Sequence, residues 1–361
     1  MKNLSKNTDF SDKTTDNIAL NFELADFLVD KTNYIYSYDK QMKSSPWVNW
    51  GEDNNIPIIL WENYLRNSLI TAIINSITDY VYGDGISYTS NNLISDEDEG
   101  FDEVVRKCVF DYILFGGFTV ECIRNSAGKI VRYNYQNVMN VRVDEDLTTA
   151  YISNKWGKYT SKYVTLPLWN KNDIQDHFIF YYRGPITRGI NPIPSYASAL
   201  KSIEILNSTR DFHLNNLKNG FTTSVIINLN NENIKGKELR EIKEKLTTGY
   251  TGTMNAGKFL LLNGGSKDHA ATVERLSADN FGELYMTLDE SSRTDIYCAF
   301  RINPILIGEN VQTGFSKEEF ASAYELFYST VVRPIQNIIQ KQFAKLNAEF
   351  VWNRFNPEFP E

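Results

Sequence analysis

The sequence predicts an α+β protein, and two observations carry that prediction. Several long stretches place apolar residues three and four apart and are stopped by glycine or proline, the mark of amphipathic helices. Between them, residues 118–182 hold short alternating segments rich in β-branched and aromatic residues, as strands require. At 361 residues the chain can bury a substantial core and has, as a prior, about two domains. A hydrophobic fraction of 42%, with 21 Tyr and 21 Phe, fits a globular protein rich in aromatics.

Residues 1–21 are polar, dominated by Ser, Thr, Asn, Asp and Lys, and are expected to form a disordered arm. Phe22 to Tyr38 is a short apolar stretch followed by tyrosines. The run Trp47-Val48-Asn49-Trp50-Gly51-Glu52-Asp53-Asn54-Asn55-Ile56-Pro57 marks a loop. Ile58 to Tyr82 returns to helical spacing through Leu60, Tyr64, Leu69, Ile73, Ile74, Ile77 and Val81; Gly83-Asp84-Gly85 stops it, and Ile86 to Tyr88 starts a strand. Phe101 to Phe115 is a helix ended by Gly116-Gly117. Phe118 to Ile123 then alternates as a strand, Asn125 to Gly128 turns it, and Lys129 to Tyr133 returns. Val138–Val143, Thr149–Asn154 and Phe178–Tyr182 complete the strand-like pieces.

Asn191-Pro192-Ile193-Pro194-Ser195 launches a helix that runs to Asn219, with Gly220 as its stop. Its apolar face is Tyr196, Leu200, Ile203, Leu206, His213 or Leu214, and Leu217, with Ile205 and Phe212 off that face; its length is about 37 Å. Phe221 to Leu229 reads as a strand, Gly236 to Leu246 as a charged helix, and Asn255 to Gly265 as a turn, a buried strand and a second turn. Ser277 can cap a further helix carrying Phe281, Leu284, Tyr285, Leu288, Ser292, Ile296 and Ala299, which Pro304 forces to end at or before Asn303. A polar loop from Glu309 to Phe315 follows Gly308. Ser316-Lys317-Glu318-Glu319 then reads as a capping box, opening a helix with Phe320, Ala323, Phe327, Val331 and Ile335, broken at Pro334. Ala348 to Trp352 is a last strand, expected to pair with the sheet of the domain over residues 22–194.

Composition and motifs exclude several functions. No run approaches the roughly 18 apolar residues of a membrane span, and Met1 to Ser5 starts no signal peptide, so no membrane partner is expected. Cys108, Cys122 and Cys298 make no disulfide framework and sit among apolar residues, which predicts buried reduced thiols. His177, His213 and His269 lack metal-ligand partners three or four residues away, and Asp96-Glu97-Asp98-Glu99 reads as a solvated loop. Gly83-Asp84-Gly85 follows a helix and precedes a strand, the reverse of a dinucleotide fingerprint. Asn255-Ala256-Gly257-Lys258 lacks the earlier glycine and the following Ser or Thr of a P-loop. No catalytic residue, metal ligand or cofactor site is expected. A metal-dependent nucleic-acid-processing enzyme remains the alternative, and it needs clustered acids that the sequence does not assemble.

Three phrases together resemble the portal proteins of tailed bacteriophages with HK97-like capsids: Phe300-Arg301-Ile302-Asn303-Pro304-Ile305-Leu306-Ile307-Gly308, Leu114 to Gly117 with Asn125 to Gly128, and Asn255-Ala256-Gly257-Lys258 with Gly264-Gly265. Arg301 stands where that family usually has glycine, and Asn303 where it has a first proline. The resemblance implies a portal fold: a wing domain over 22–194, a first stem helix over 195–220, a clip over 221–275 and a second stem helix over 276–303. A tunnel-loop region over 304–315, a helix over 316–346 and a C-terminal strand and tail over 347–361 would follow, with a crown reduced or absent. It further implies a dodecameric ring at one capsid vertex of the virion, assembled in the host cytoplasm with the major capsid protein and scaffold. Double-stranded DNA would pass through the channel without sequence specificity, touching Gly308, Glu309, Asn310, Val311, Gln312, Thr313, Gly314, Phe315 and Lys317. Lys235, Lys237, Lys243, Asn255, Gly257 and Lys258 of the clip would meet the terminase large subunit and then the head-tail adaptor. The net charge of −8 argues against tight non-specific DNA binding but suits a conduit, where strong phosphate contacts would brake translocation.

Overall fold

A computed structural model describes residues 45–88, 100–156, 162–172, 175–186, 189–218, 225–228, 259–262, 272–275, 281–309 and 317–355. It is a mixed helix-and-sheet fold in two compact units, one formed by residues 1–201 and 297–361 and the other by Ser202–Ile296.

Among the described residues, the first helices of the larger unit are α1 (Ile56–Arg66) and α2 (Ser68–Tyr82). The sequence spacing reads as one run, but Asn67 leaves the helical region at φ −111°, ψ 106° and accepts from the Leu69 and Ile70 amides, capping α2. Pro57 sits in the first turn of α1, where it costs no hydrogen bond. Gly83 then stops α2 and leads to β1 (Ile86–Ser87). Helix α3 (Phe101–Phe115) ends as expected on Gly116, which takes the left-handed conformation at φ 85°. A side chain at Gly116 would collide with the Ile193 carbonyl at 2.3 Å, so glycine is required there on both counts.

Strands β2 (Gly117–Arg124), β3 (Ile130–Gln136) and β7 (His177–Arg183) form one antiparallel sheet in the order β3-β2-β7. Asn125 Oδ1 accepts from the amides of Ala127 and Lys129 and shapes the β2–β3 turn. A second sheet, β4-β5-β6, joins β4 (Val141–Val143), β5 (Thr149–Ile152) and β6 (Val164–Pro167); the sequence reading missed β6. Residues 138–140 are a 3₁₀ turn rather than strand, because Asn137 accepts from the Met139 amide and winds it. The last strand, β11 (Val351–Trp352), is shorter than expected. It pairs with β1 through Ile86–Trp352 and Ser87–Val351. The core sits between helices and sheet, where Phe101, Phe118, Tyr133, Phe343 and Phe350 meet ring against ring.

In the smaller unit, β8 (Val225–Asn228) pairs parallel with β9 (Phe259–Leu262) and antiparallel with β10 (Thr272–Arg275). Helix α4 is Leu200–Lys218, so the helix expected from residue 195 begins later and spans about 28 Å. The carbonyls of Pro194 and Tyr196 instead accept from the amides of Ala197 and Ala199 at a 3₁₀ turn over Ala197–Ala199. His213 and Leu214, expected on the apolar face, are exposed; Phe212 is 43% exposed and meets the His213 ring edge-on and the Tyr285 ring at a tilt. Helix α5 is Phe281–Phe300. Leu288, also expected on the apolar face, is 37% exposed. Of the thiols, Cys108 and Cys122 are buried as expected, but Cys298 is exposed, because it falls opposite the buried stripe of Ser292, Ile296 and Phe300. The Ser277 cap, residues 236–246 and the Asp96–Glu99 run lie outside the described residues.

Candidate functional site

The loop singled out in the sequence is held by two feet. The upstream foot begins at the end of α5. The Ile302 amide donates to the Tyr297 carbonyl and the Arg301 amide to that of Cys298, both at 3.1 Å. This crossed pair is a Schellman ending, with Arg301 at the position that glycine usually fills. Arg301 accordingly has φ 54°, in the left-handed region. Asn303 follows: its Oδ1 accepts from the Ile305 amide at 3.1 Å and caps a 3₁₀ turn over Pro304–Ile307. Gly308, left-handed at φ 77°, closes the turn, and the Glu309 amide donates to the Pro304 carbonyl at 3.1 Å.

The downstream foot is α6 (Lys317–Phe327), with Glu318 and Glu319 in its first turn, where carboxylates complement the helix dipole. A π turn, Tyr328–Val332, joins α6 to α7 (Arg333–Ala344). The break expected at Pro334 takes this form because proline has no amide to donate. The ladder widens just ahead of it, and the Arg333 amide reaches back five residues to the Tyr328 carbonyl.

Tyr80 of α2 ties the feet together. Its hydroxyl donates to the Leu306 carbonyl at 2.8 Å, while its ring meets Tyr324 and Phe327 of α6 at 5.7 and 5.8 Å. Burial, then the neighbouring Tyr324 and Asp79, raise its pKa, so the donor keeps its proton. Tyr324 in turn donates to the Phe355 carbonyl at 2.8 Å, and Arg354 lies 4.0 Å over the Tyr328 ring and bonds Glu325. Sequence reasoning did not single out Tyr80, because three residues from Ile77 and seven from Ile73 it reads as one more core position of its helix.

Of the residues expected to line a channel, Gly308, Glu309 and Lys317 are described; Glu309 is half-buried and Lys317 exposed. Asn310, Val311, Gln312, Thr313, Gly314 and Phe315 lie outside the described residues, as do Ser316 of the capping box and Lys235, Lys237, Lys243, Asn255, Gly257 and Lys258 of the clip. Among the described residues, no group of three or more His, Cys, Asp or Glu side chains is placed to hold a metal ion. No described helix is long and apolar enough to cross a membrane.

What these elements build is a pair of held chain ends, Gly308-Glu309 and Lys317, on either side of residues 310–316. The chain belongs to the phage portal protein family, whose model matches residues 96–358. Solved structures agree on the fold. The virion of a native gene transfer agent particle contains a chain with a TM-score of 0.52 and 14% identity, over 81% of this chain and 82% of that one. The neck of the native particle, computed with C12 symmetry, gives 0.53 and 15% over 81% and 80%. An HK97 family phage portal protein from Corynebacterium diphtheriae gives 0.53 and 12% over 78% and 88%. At these identities the likeness is one of fold. No curated protein matches the chain in sequence.

Proposed function

We propose that this chain is the portal subunit of a phage or phage-derived particle: copies close into a ring at one capsid vertex, and double-stranded DNA passes through its centre. The observation that carries this reading is the portal family match over residues 96–358, which includes both feet of the loop. Ring closure by twelve copies is supported by the C12 symmetry of the similar neck structure. On this reading residues 22–194 act as the wing, 221–275 as the clip, and Glu309 to Phe315 as the loop that meets DNA. The clip would receive the terminase large subunit during packaging and the head-tail adaptor afterwards. The major capsid protein and scaffold would surround the ring, first in the host cytoplasm and then in the virion. The net charge of −8 gives DNA little to hold, as a conduit requires.

The test is negative-stain electron microscopy of the purified chain with native mass to count subunits. Rings with a central hole and about twelve copies are expected. A monomer or dimer at every concentration and salt, with purified scaffold also present, would overturn the reading.

A further inference from the structure

An apolar groove of about 200 Å³ lies within the larger unit, lined by Ile77, Tyr112, Ile193, Phe300, Ile335 and Ile338 among others, with half-exposed Ile186 at its rim. Its other lining residue of note is Arg301. That guanidinium has no ion-pair partner among the described residues, and it is displayed from a left-handed backbone, φ 54°, where glycine would be free of strain. Strained residues cluster at ligand clamps and other functional sites. Arg333, one residue before groove-lining Pro334, is exposed and likewise unpaired among the described residues. The groove therefore asks for an occupant that is apolar on one side and acidic on the other.

The chain carries such a segment. Phe22-Glu23-Leu24-Ala25-Asp26-Phe27-Leu28-Val29-Asp30 holds six apolar residues and three acids. Its acids fall at i, i+3 and i+7, one stripe of a helix, and leave the remainder apolar. The described chain begins at Ser45 close to the groove: the Asn49 carbonyl accepts from Asn191, two residues before groove-lining Ile193. The Trp50 ring lies 6.4 Å from that of Phe115, beside groove-lining Gly116. The residues between Asp30 and Ser45 can span up to about 50 Å when extended.

We propose that Phe22–Asp30 docks in this groove of its own chain, its apolar side against Ile77, Ile335 and Ile338 and its carboxylates toward Arg301 and Arg333. The inference concerns a subunit's own surface and stands whether or not the ring reading holds.

The test pairs Leu28→Cys with Ile338→Cys in the full-length chain, with Cys298→Ser to remove the exposed thiol. Oxidation is expected to give an intrachain disulfide, read by mass after denaturation. Arg301→Gly, which relieves the left-handed strain and removes the charge, should lower its yield about fivefold to tenfold, where tenfold equals 1.4 kcal/mol. A disulfide between chains would overturn the proposal in favour of a second copy as the occupant, and no disulfide would overturn it outright. Hydrogen exchange on the unmutated chain gives an independent readout. A synthetic peptide of residues 22–30 added in excess should speed exchange in the chain's own 22–30 segment, and unchanged exchange would also overturn the docking.

Discussion

Arg142 is the largest charged group in the core, 1% exposed at the start of the β4-β5-β6 sheet. It donates to the carbonyls of Asn54, Met139 and Val141 and to the Asn54 side chain, and lies between the rings of Trp50 and Trp156. This one side chain binds the Trp47–Asn55 loop to the sheet, so Arg142→Met should leave several buried carbonyls without donors. We expect a loss of about 3 kcal/mol, seen as a lower urea midpoint at unchanged m-value; a midpoint within error of the parent would refute the role. Asp111 makes the opposite contribution. It is completely buried on α3 and accepts from the Tyr135 hydroxyl and the Val138 amide, both at 3.0 Å. Desolvation outweighs those two hydrogen bonds and raises its pKa from 3.8 to about 7. Between those values the folded chain holds a proton that the unfolded chain has released, so stability falls as pH rises from about 4 to 7. Asp111→Asn should flatten that slope and stabilise the fold at pH 8, by at most about 4 kcal/mol. Equal urea midpoints for the parent at pH 5 and pH 8 would contradict this assignment.

At the scale of elements, α6, the π turn and α7 show how a local break is absorbed. A π turn is an α-helix with one residue inserted, and here the insertion stands just ahead of Pro334, keeping its ring away from the Thr330 carbonyl. Deleting Ser329, which is exposed, together with Pro334→Ala should therefore give one continuous helix within about 1 kcal/mol of the parent. Deleting Ser329 while keeping Pro334 should cost about 3 kcal/mol, and equal stabilities of the two variants would argue against this account. The sequence showed where the break falls but not its form, because proline forbids a hydrogen bond without saying which carbonyl replaces it. Helix ends with a glycine stop were legible, as at Gly116 and Gly83. The interruption at Asn67 was not, since its neighbours keep helical spacing on both sides. Short strands were the least legible: β6 is mostly exposed and alternates too weakly, and β11 finds its partner more than 260 residues away by a contact that no local pattern encodes.

For the whole molecule, the described part of the loop region shows how its two ends are held. The feet are built to stay fixed: the crossed hydrogen bonds at Arg301, the Asn303 cap and the Tyr80 bridge hold Leu306 and α6 to α2. The Phe300–Gly308 phrase made the upstream foot legible in the sequence, but the Tyr80 bridge spans 226 residues and could be seen only in three dimensions. If the loop meets DNA, removing it should separate assembly from transport. Deleting Glu309 to Gly314 leaves in place the crossed hydrogen bonds at Arg301, the Asn303 cap and the Tyr80 bridge, and removes the bond from the Glu309 amide to the Pro304 carbonyl. The variant should therefore melt within a few degrees of the parent, as a loss of about 1 kcal/mol or less implies, and should form rings of the same subunit number by native mass. In a packaging reaction with terminase and capsids, protected DNA should fall at least about tenfold, a difference near 1.4 kcal/mol. Rings that package at the parent rate would show that these residues are dispensable for transport and that DNA is met elsewhere. Loss of the rings themselves would instead place the loop in the contacts between subunits.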